Sequence, residues 1–172
     1  MRIARQKGAF AIELSIVLVV LMSIYLFMTD ISHKLLVQSQ LDRISFALVN
    51  VLKERTRYYA DRDNLSEQDR DDMHAIASRM LNIDASQLAI RIEALHNQSA
   101  YESFTSERFD SLGCSAQLLS NKTALVPTEN GTVYSLYQVT LCEQRDSWYD
   151  NFWGRDATDT FTITSTSVVA GR

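Results

Sequence analysis

Residues 9–28 read AFAIELSIVLVVLMSIYLFM, and seventeen of these twenty are hydrophobic. Glu13 is the only charge in the run. Twenty helical residues rise about 30 Å, the thickness of a bilayer's hydrocarbon core. A cleaved secretory signal has a shorter apolar region, about 7–15 residues, closed by a small-x-small site. This run is longer and ends in Met28-Thr29-Asp30, so the sequence predicts a segment that stays in the membrane. Arg2, Arg5 and Lys7 precede it without an acid, whereas Asp30 opens the other flank. The excess of basic residues predicts a single pass of the inner membrane, with residues 1–8 in the cytoplasm and the C-terminal domain in the periplasm.

The remainder of the 172 residues reads as one folded unit. One proline and five glycines are too few for a loop-rich all-β domain, and none of them lies between Gly8 and Gly113. A helix from Ala9 to about Tyr59 would therefore run uninterrupted for about 75 Å. After Asp30 it turns amphipathic, with Ile31, Leu35, Leu41, Ile44, Leu48, Val51 and Leu52 recurring at spacings near three and four. This gives a leader at 1–8, a transmembrane helix at 9–28, its amphipathic continuation at 29–60 and an extracytoplasmic head at 61–172. In the head, Ser66 and Asp69 form a capping signal for a helix reaching Met80 and Leu81. Leu88, Ile90 and Ile92 alternate with Ala89, Arg91 and Glu93 as a strand does; TVYSLYQVTLC (132–142) and TFTITSTSVV (160–169) are β-rich as well. The fold expected is α+β, a long helix packed on a small antiparallel sheet.

Charge and motif content narrow the chemistry. Residues 29–172 hold 14 Lys and Arg against 20 Asp and Glu, an acidic body without the basic stripe that nucleic-acid binding needs. The acidic stretch DRDNLSEQDRDD (61–72) has Ser66 where an EF-hand loop requires glycine, and no metal site is assigned to it. His33, His74 and His96 stand singly, with no HExxH, CxxC, GxSxG or glycine-rich phosphate loop; no enzymatic activity and no cofactor are read from the sequence. Cys114 and Cys142 are the only cysteines. Both fall in the part placed outside the cytoplasm, where two thiols read as a disulfide. Beyond the second cysteine, Trp148, Tyr149, Phe152 and Trp153 interleave with Asp146, Asp150, Asn151 and Gly154. That stretch reads as a loop whose aromatics serve local packing or a subunit contact.

The basic leader RIARQKG ending at Gly8, the apolar run and Glu13 five residues after the glycine together resemble the class III signal of type IV pilins and pseudopilins. The resemblance implies that a prepilin peptidase cuts between Gly8 and Ala9 on the cytoplasmic side. Glu13 then becomes the fifth residue of the mature chain and meets the freed α-amino group of a neighbouring subunit in a filament core. SLYQVTLC (135–142), the GCS around Cys114 and the aromatics after the second cysteine are similar to the TadF-type pseudopilins of the tight-adherence pilus system. That likeness implies a minor subunit, since the major pilin of such systems is very small. It also implies a role in assembling an adhesive pilus, and so in surface adhesion and biofilm formation. The partners implied are the prepilin peptidase, other pilins and pseudopilins, and inner-membrane platform proteins. Leu14 stands where that family commonly has an aromatic residue after the glutamate, which leaves open a minor pseudopilin of type II secretion or of another type IV pilus. Without the resemblance, the same residues would also suit a bitopic binding or sensor module.

Overall fold

No glycine or proline lies between Gly8 and Gly113, and helix α1 runs without a break from Ile3 to Tyr58. It does so in the computed structural model, which describes residues 3–58, 64–97, 99–129, 131–154 and 160–171, and their side chains except at 3–9, 55–58 and 151. The helix begins ahead of the expected Ala9 because Ala4, Arg5, Gln6 and Lys7 are good helix formers, and one glycine costs only about 1 kcal/mol. Helix α2 (Glu67–Leu81) starts at the capping box anticipated: the Ser66 hydroxyl accepts from the Asp69 amide, and the Asp69 carboxylate accepts from the Ser66 amide. It ends at Asn82 in the left-handed region, with the Asn82 and Ile83 amides bonded back to Arg79 and Ser78. Of the acidic stretch 61–72, residues 61–63 lie outside the described residues.

The sheet has four strands in the order β2-β1-β5-β6, where β1 is Leu88–His96, β2 Ala100–Thr105, β5 Leu136–Asp146 and β6 Thr160–Ala170. β1 pairs antiparallel with both β2 and β5, setting Glu93 opposite Gln138 and Ala89 opposite Cys142. The short strands β3 (Thr128–Glu129) and β4 (Thr132–Val133) form a separate hairpin. The single β-rich run expected over 132–142 is thus two strands, parted at Tyr134 and Ser135. The Tyr134 amide there bonds Pro127, and the Ser135 carbonyl accepts from Gly171.

Two layers cover the two faces of this sheet. On one, Val37, Leu41, Ile44, Leu48, Val49 and Leu52 of α1, with Met73 and Ala77 of α2, pack on Leu88, Ile90, Ile92, Val139, Leu141 and Ile163. The packed arc of α1 starts only at Val37. It centres between Leu41 and Ser45, so Leu35 and Val51, each about 100° from that centre on opposite sides, are exposed, as is Ile31 before the arc begins. Ser45, fully buried, joins the helix to β6 through the Ser165 and Ser167 hydroxyls at 2.9 and 2.8 Å. On the other face lies the excursion between β2 and β5, with helix α3 (Arg108–Ser111), a 3₁₀ turn (Leu119–Leu125) and the β3–β4 hairpin. The threonines of β6 bind that side: Thr162 donates to the Leu112 carbonyl at 2.8 Å, and Thr166 meets Thr140 at 3.2 Å. By contact density the chain forms two compact units, Met1–Leu36 with Asp146–Thr160, and Val37–Arg145 with Phe161–Arg172.

Candidate functional site

The apolar run keeps its side chains bare. Ile12, Leu14, Ile16, Val17, Leu18, Val19, Val20 and Leu21 are all exposed, and among the described residues α1 is the one helix long and apolar enough to cross a membrane. Two hydroxyls, of Ser15 within the run and Thr29 just after it, are satisfied within the helix. Ser15 donates to the Ala11 carbonyl at 2.7 Å, and Thr29 to Tyr25 at 2.9 Å, which lowers the cost of a hydroxyl in an apolar medium. Gly8 and Ala9 lie on the backbone of the same helix. Glu13 is exposed among the apolar side chains one turn further on.

At the far end of the run, α1 carries Phe27, Asp30 and His33 at i, i+3 and i+6, neighbours on the helix surface. The Asp30 carboxylate accepts from the Ser147 hydroxyl at 2.7 Å and from the Trp148 and Tyr149 amides at 3.1 and 2.9 Å. Ser147 in turn accepts from the Asp150 amide at 3.2 Å, and so caps a short helix α4, Trp148–Phe152. The stretch expected as a loop is therefore one helical turn, started by Ser147-x-x-Asp150 as α2 is started by Ser66-x-x-Asp69. Its rings clasp α1: Tyr149 meets Phe27 edge-on at 5.8 Å, Trp148 stacks on His33 at 5.8 Å, and Trp153 touches Tyr149 and Phe152. Local packing thus accounts for part of the aromatic cluster, yet Trp148, Phe152 and Trp153 keep 54, 46 and 51% of their surface exposed.

The second cluster lies under the excursion. Cys114 and Cys142 form the disulfide expected. Gly113, at φ +66°, turns the chain out of α3 so that the Cys114 amide reaches the Phe109 carbonyl at 3.1 Å. Further along β1, Glu93 is fully buried. Its carboxylate accepts from the Tyr101 hydroxyl at 2.5 Å, the Leu119 amide at 3.2 Å and the Gln138 amide group, and it pairs with Arg91 at 3.3 Å. Arg91 also donates to the Ala116 carbonyl at 3.1 Å and lies over the Phe109 ring at 4.8 Å. Lys122 donates to the Gln138 side-chain carbonyl at 2.7 Å. Burial, then the bond to Glu93, pushes the Tyr101 hydroxyl above the ordinary tyrosine range. Burial holds Lys122 below the usual ammonium range, with Glu93 pulling the other way. Arg91, Glu93 and Gln138 fasten residues 116–122 of the excursion to the sheet, through bonds to Ala116, Leu119, Gln117 and Lys122. These residues were invisible in the sequence as a cluster, because Arg91 and Glu93 occupy the alternating positions that normally face water.

A groove of about 530 Å³ lies near the sheet's edge, lined by His96, Glu102, Tyr134, Ser135 and Tyr137 among others. His96 Nδ1 and Ser135 Oγ are 2.9 Å apart. The other ring nitrogen is buried, with no hydrogen-bond partner, and so no orienting carboxylate of the kind a nucleophilic triad uses, among the described residues.

The profile of the TadF family, "Putative tight adherence pilin protein F", matches residues 3–172. The chain belongs to the TadF family. No curated protein and no solved structure matches it. Membership ties this TadF-family chain to the tight-adherence pilus and to the other components of that system. One long apolar helix at the N-terminus accords with a single-pass membrane protein of such a system.

Proposed function

We propose that this TadF-family chain is a minor pseudopilin of the adhesive pilus: stored in the inner membrane by α1, cut between Gly8 and Ala9 by the prepilin peptidase, and drawn into the filament through Glu13. The observation that carries the reading is the family match over residues 3–172 on a chain in which Glu13 stands fifth from Ala9. The bare apolar surface of Phe10–Met28 supports it, since such a helix needs either lipid or neighbouring helices as its surroundings. A carboxylate in that helix supports it too. A buried charge is tolerated when it meets a cation, and the new α-amino group of an adjacent subunit supplies one. The head contacts other minor subunits, and its acidic surface stays outside the cytoplasm. The deciding experiment is the intact mass of the membrane-extracted chain, with and without its prepilin peptidase. A chain starting at Ala9 only when the peptidase is present, and at Met1 in the Gly8→Ala variant, is the expected result. A chain starting at Met1 in both strains would reduce α1 to a plain anchor.

A further inference from the structure

We propose that the 147–153 segment is a membrane-interface collar, seating Trp148, Phe152 and Trp153 among the phospholipid headgroups at the level where α1 leaves the bilayer; this rests on the reading of residues 9–28 as a bilayer span. Depth is the first ground. The apolar run fills the hydrocarbon core and ends at Met28. The collar touches α1 from Phe27 to His33, a rise of about 9 Å along the helix. That is close to the thickness of one headgroup layer, about 5–8 Å.

Chemistry is the second ground. Trp and Tyr favour this layer because their rings are apolar while an N–H or O–H stays wet. Both tryptophans of the protein are in the collar. Continuity is the third. The exposed rings do not form an island in a polar surface: Ile24, Phe27, Met28 and Ile31 on α1 are exposed as well, so one apolar surface runs from the span into the collar, and what covers the first also covers the second.

The polar groups fit the same place. A carboxylate and free helix-terminal amides are costly at the edge of hydrocarbon. Here Asp30 and Ser147 satisfy one another and the Trp148, Tyr149 and Asp150 amides. Asp146 and Asp150 flank the rings, so the attraction is to zwitterionic headgroups through the aromatics, and added salt leaves it unchanged.

Because Trp148 and Trp153 are the only tryptophans, intrinsic tryptophan emission reports on the collar alone. The full chain is incorporated into phosphatidylcholine vesicles in which part of the lipid is brominated, either near the headgroup end of its chains or near their methyl ends. The expected result is a larger loss of emission with the shallow bromine than with the deep one, and little loss with aqueous iodide. Trp148→Phe and Trp153→Phe variants assign the signal to each ring. Strong iodide quenching with no loss from either brominated lipid, in a chain that resists alkaline extraction, would overturn the collar while leaving the span intact. A chain released by alkaline extraction would instead overturn the span. Iodide shielding that appears only after other pilus subunits are added would make the patch a protein interface and overturn the lipid assignment.

Discussion

Glu93 sits where a strand's alternation places a solvent-facing residue, yet it is fully buried and holds four partners. Removing it strands the Arg91 guanidinium, which is itself 9% exposed. Breaking one partner of a buried pair costs about 3–5 kcal/mol, and Glu93→Ala is expected to lower the stability of the detergent-solubilised chain by that amount in a denaturant titration. A loss under about 1 kcal/mol would mean that water reaches the network. The same cluster makes a pH prediction. The Tyr101 hydroxyl is held above its unfolded value of 10.0. Its stabilising share is therefore present below that value and is lost as pH rises through the folded one. Site-resolved NMR of Tyr101 should show it titrating above 10.0, and a titration at that value would show that burial and Glu93 do not reach it. The disulfide was legible because the chain has only two cysteines, both in the part expected outside the cytoplasm, and they leave one pairing. The Glu93 network was not, because its burial depends on the 106–133 excursion folding over that face, and strand periodicity says nothing about what covers a polar side.

At the scale of elements, α1 was legible from the absence of breakers and α2 from its cap. The stripe on α1 was read less well, since apolar residues occur on all sides of the helix after Asp30 and only packing selects among them. The chosen face gives a sharp contrast. Leu41 is fully buried and Leu35 is 66% exposed. Leu41→Ala is expected to cost about 2–5 kcal/mol through lost burial and a cavity, while Leu35→Ala stays within about 0.5 kcal/mol. Thermal or denaturant unfolding of the two variants measures the difference, and equal losses would place the helix on the sheet by another face. Helix α4 is not legible in the sequence, although Ser147-x-x-Asp150 repeats the capping pattern of Ser66-x-x-Asp69. Aromatics interleaved with Asp, Asn and Gly have the pattern of a loop, and Asp30, the acceptor that completes the cap, lies 117 residues away in sequence. That separation is why the collar's geometry could not be read from the sequence although its residues could.

For the molecule as a whole, the question is whether α1 serves only to anchor or also to assemble, and Glu13 separates the two. A carboxylate near the middle of a spanning helix costs about 2.5–3.5 kcal/mol on insertion scales, and less toward an end. Replacing it by alanine should make membrane anchoring more favourable. A plain anchor would therefore lose nothing in Glu13→Ala. A filament helix would lose the group that meets the neighbouring subunit's α-amino nitrogen, a charge pair in a medium where few others can form. The expected outcome is that Glu13→Ala still yields a chain starting at Ala9, remains in the membrane fraction, and disappears from pili sheared off the cell. Val17→Ala, a change of similar size one turn away on an equally exposed apolar position, should leave incorporation intact. Immunoblots of the sheared and membrane fractions measure both variants. Wild-type amounts of Glu13→Ala chain in sheared pili would show that α1 enters the filament without that pair, and assembly would then have to be carried by the head.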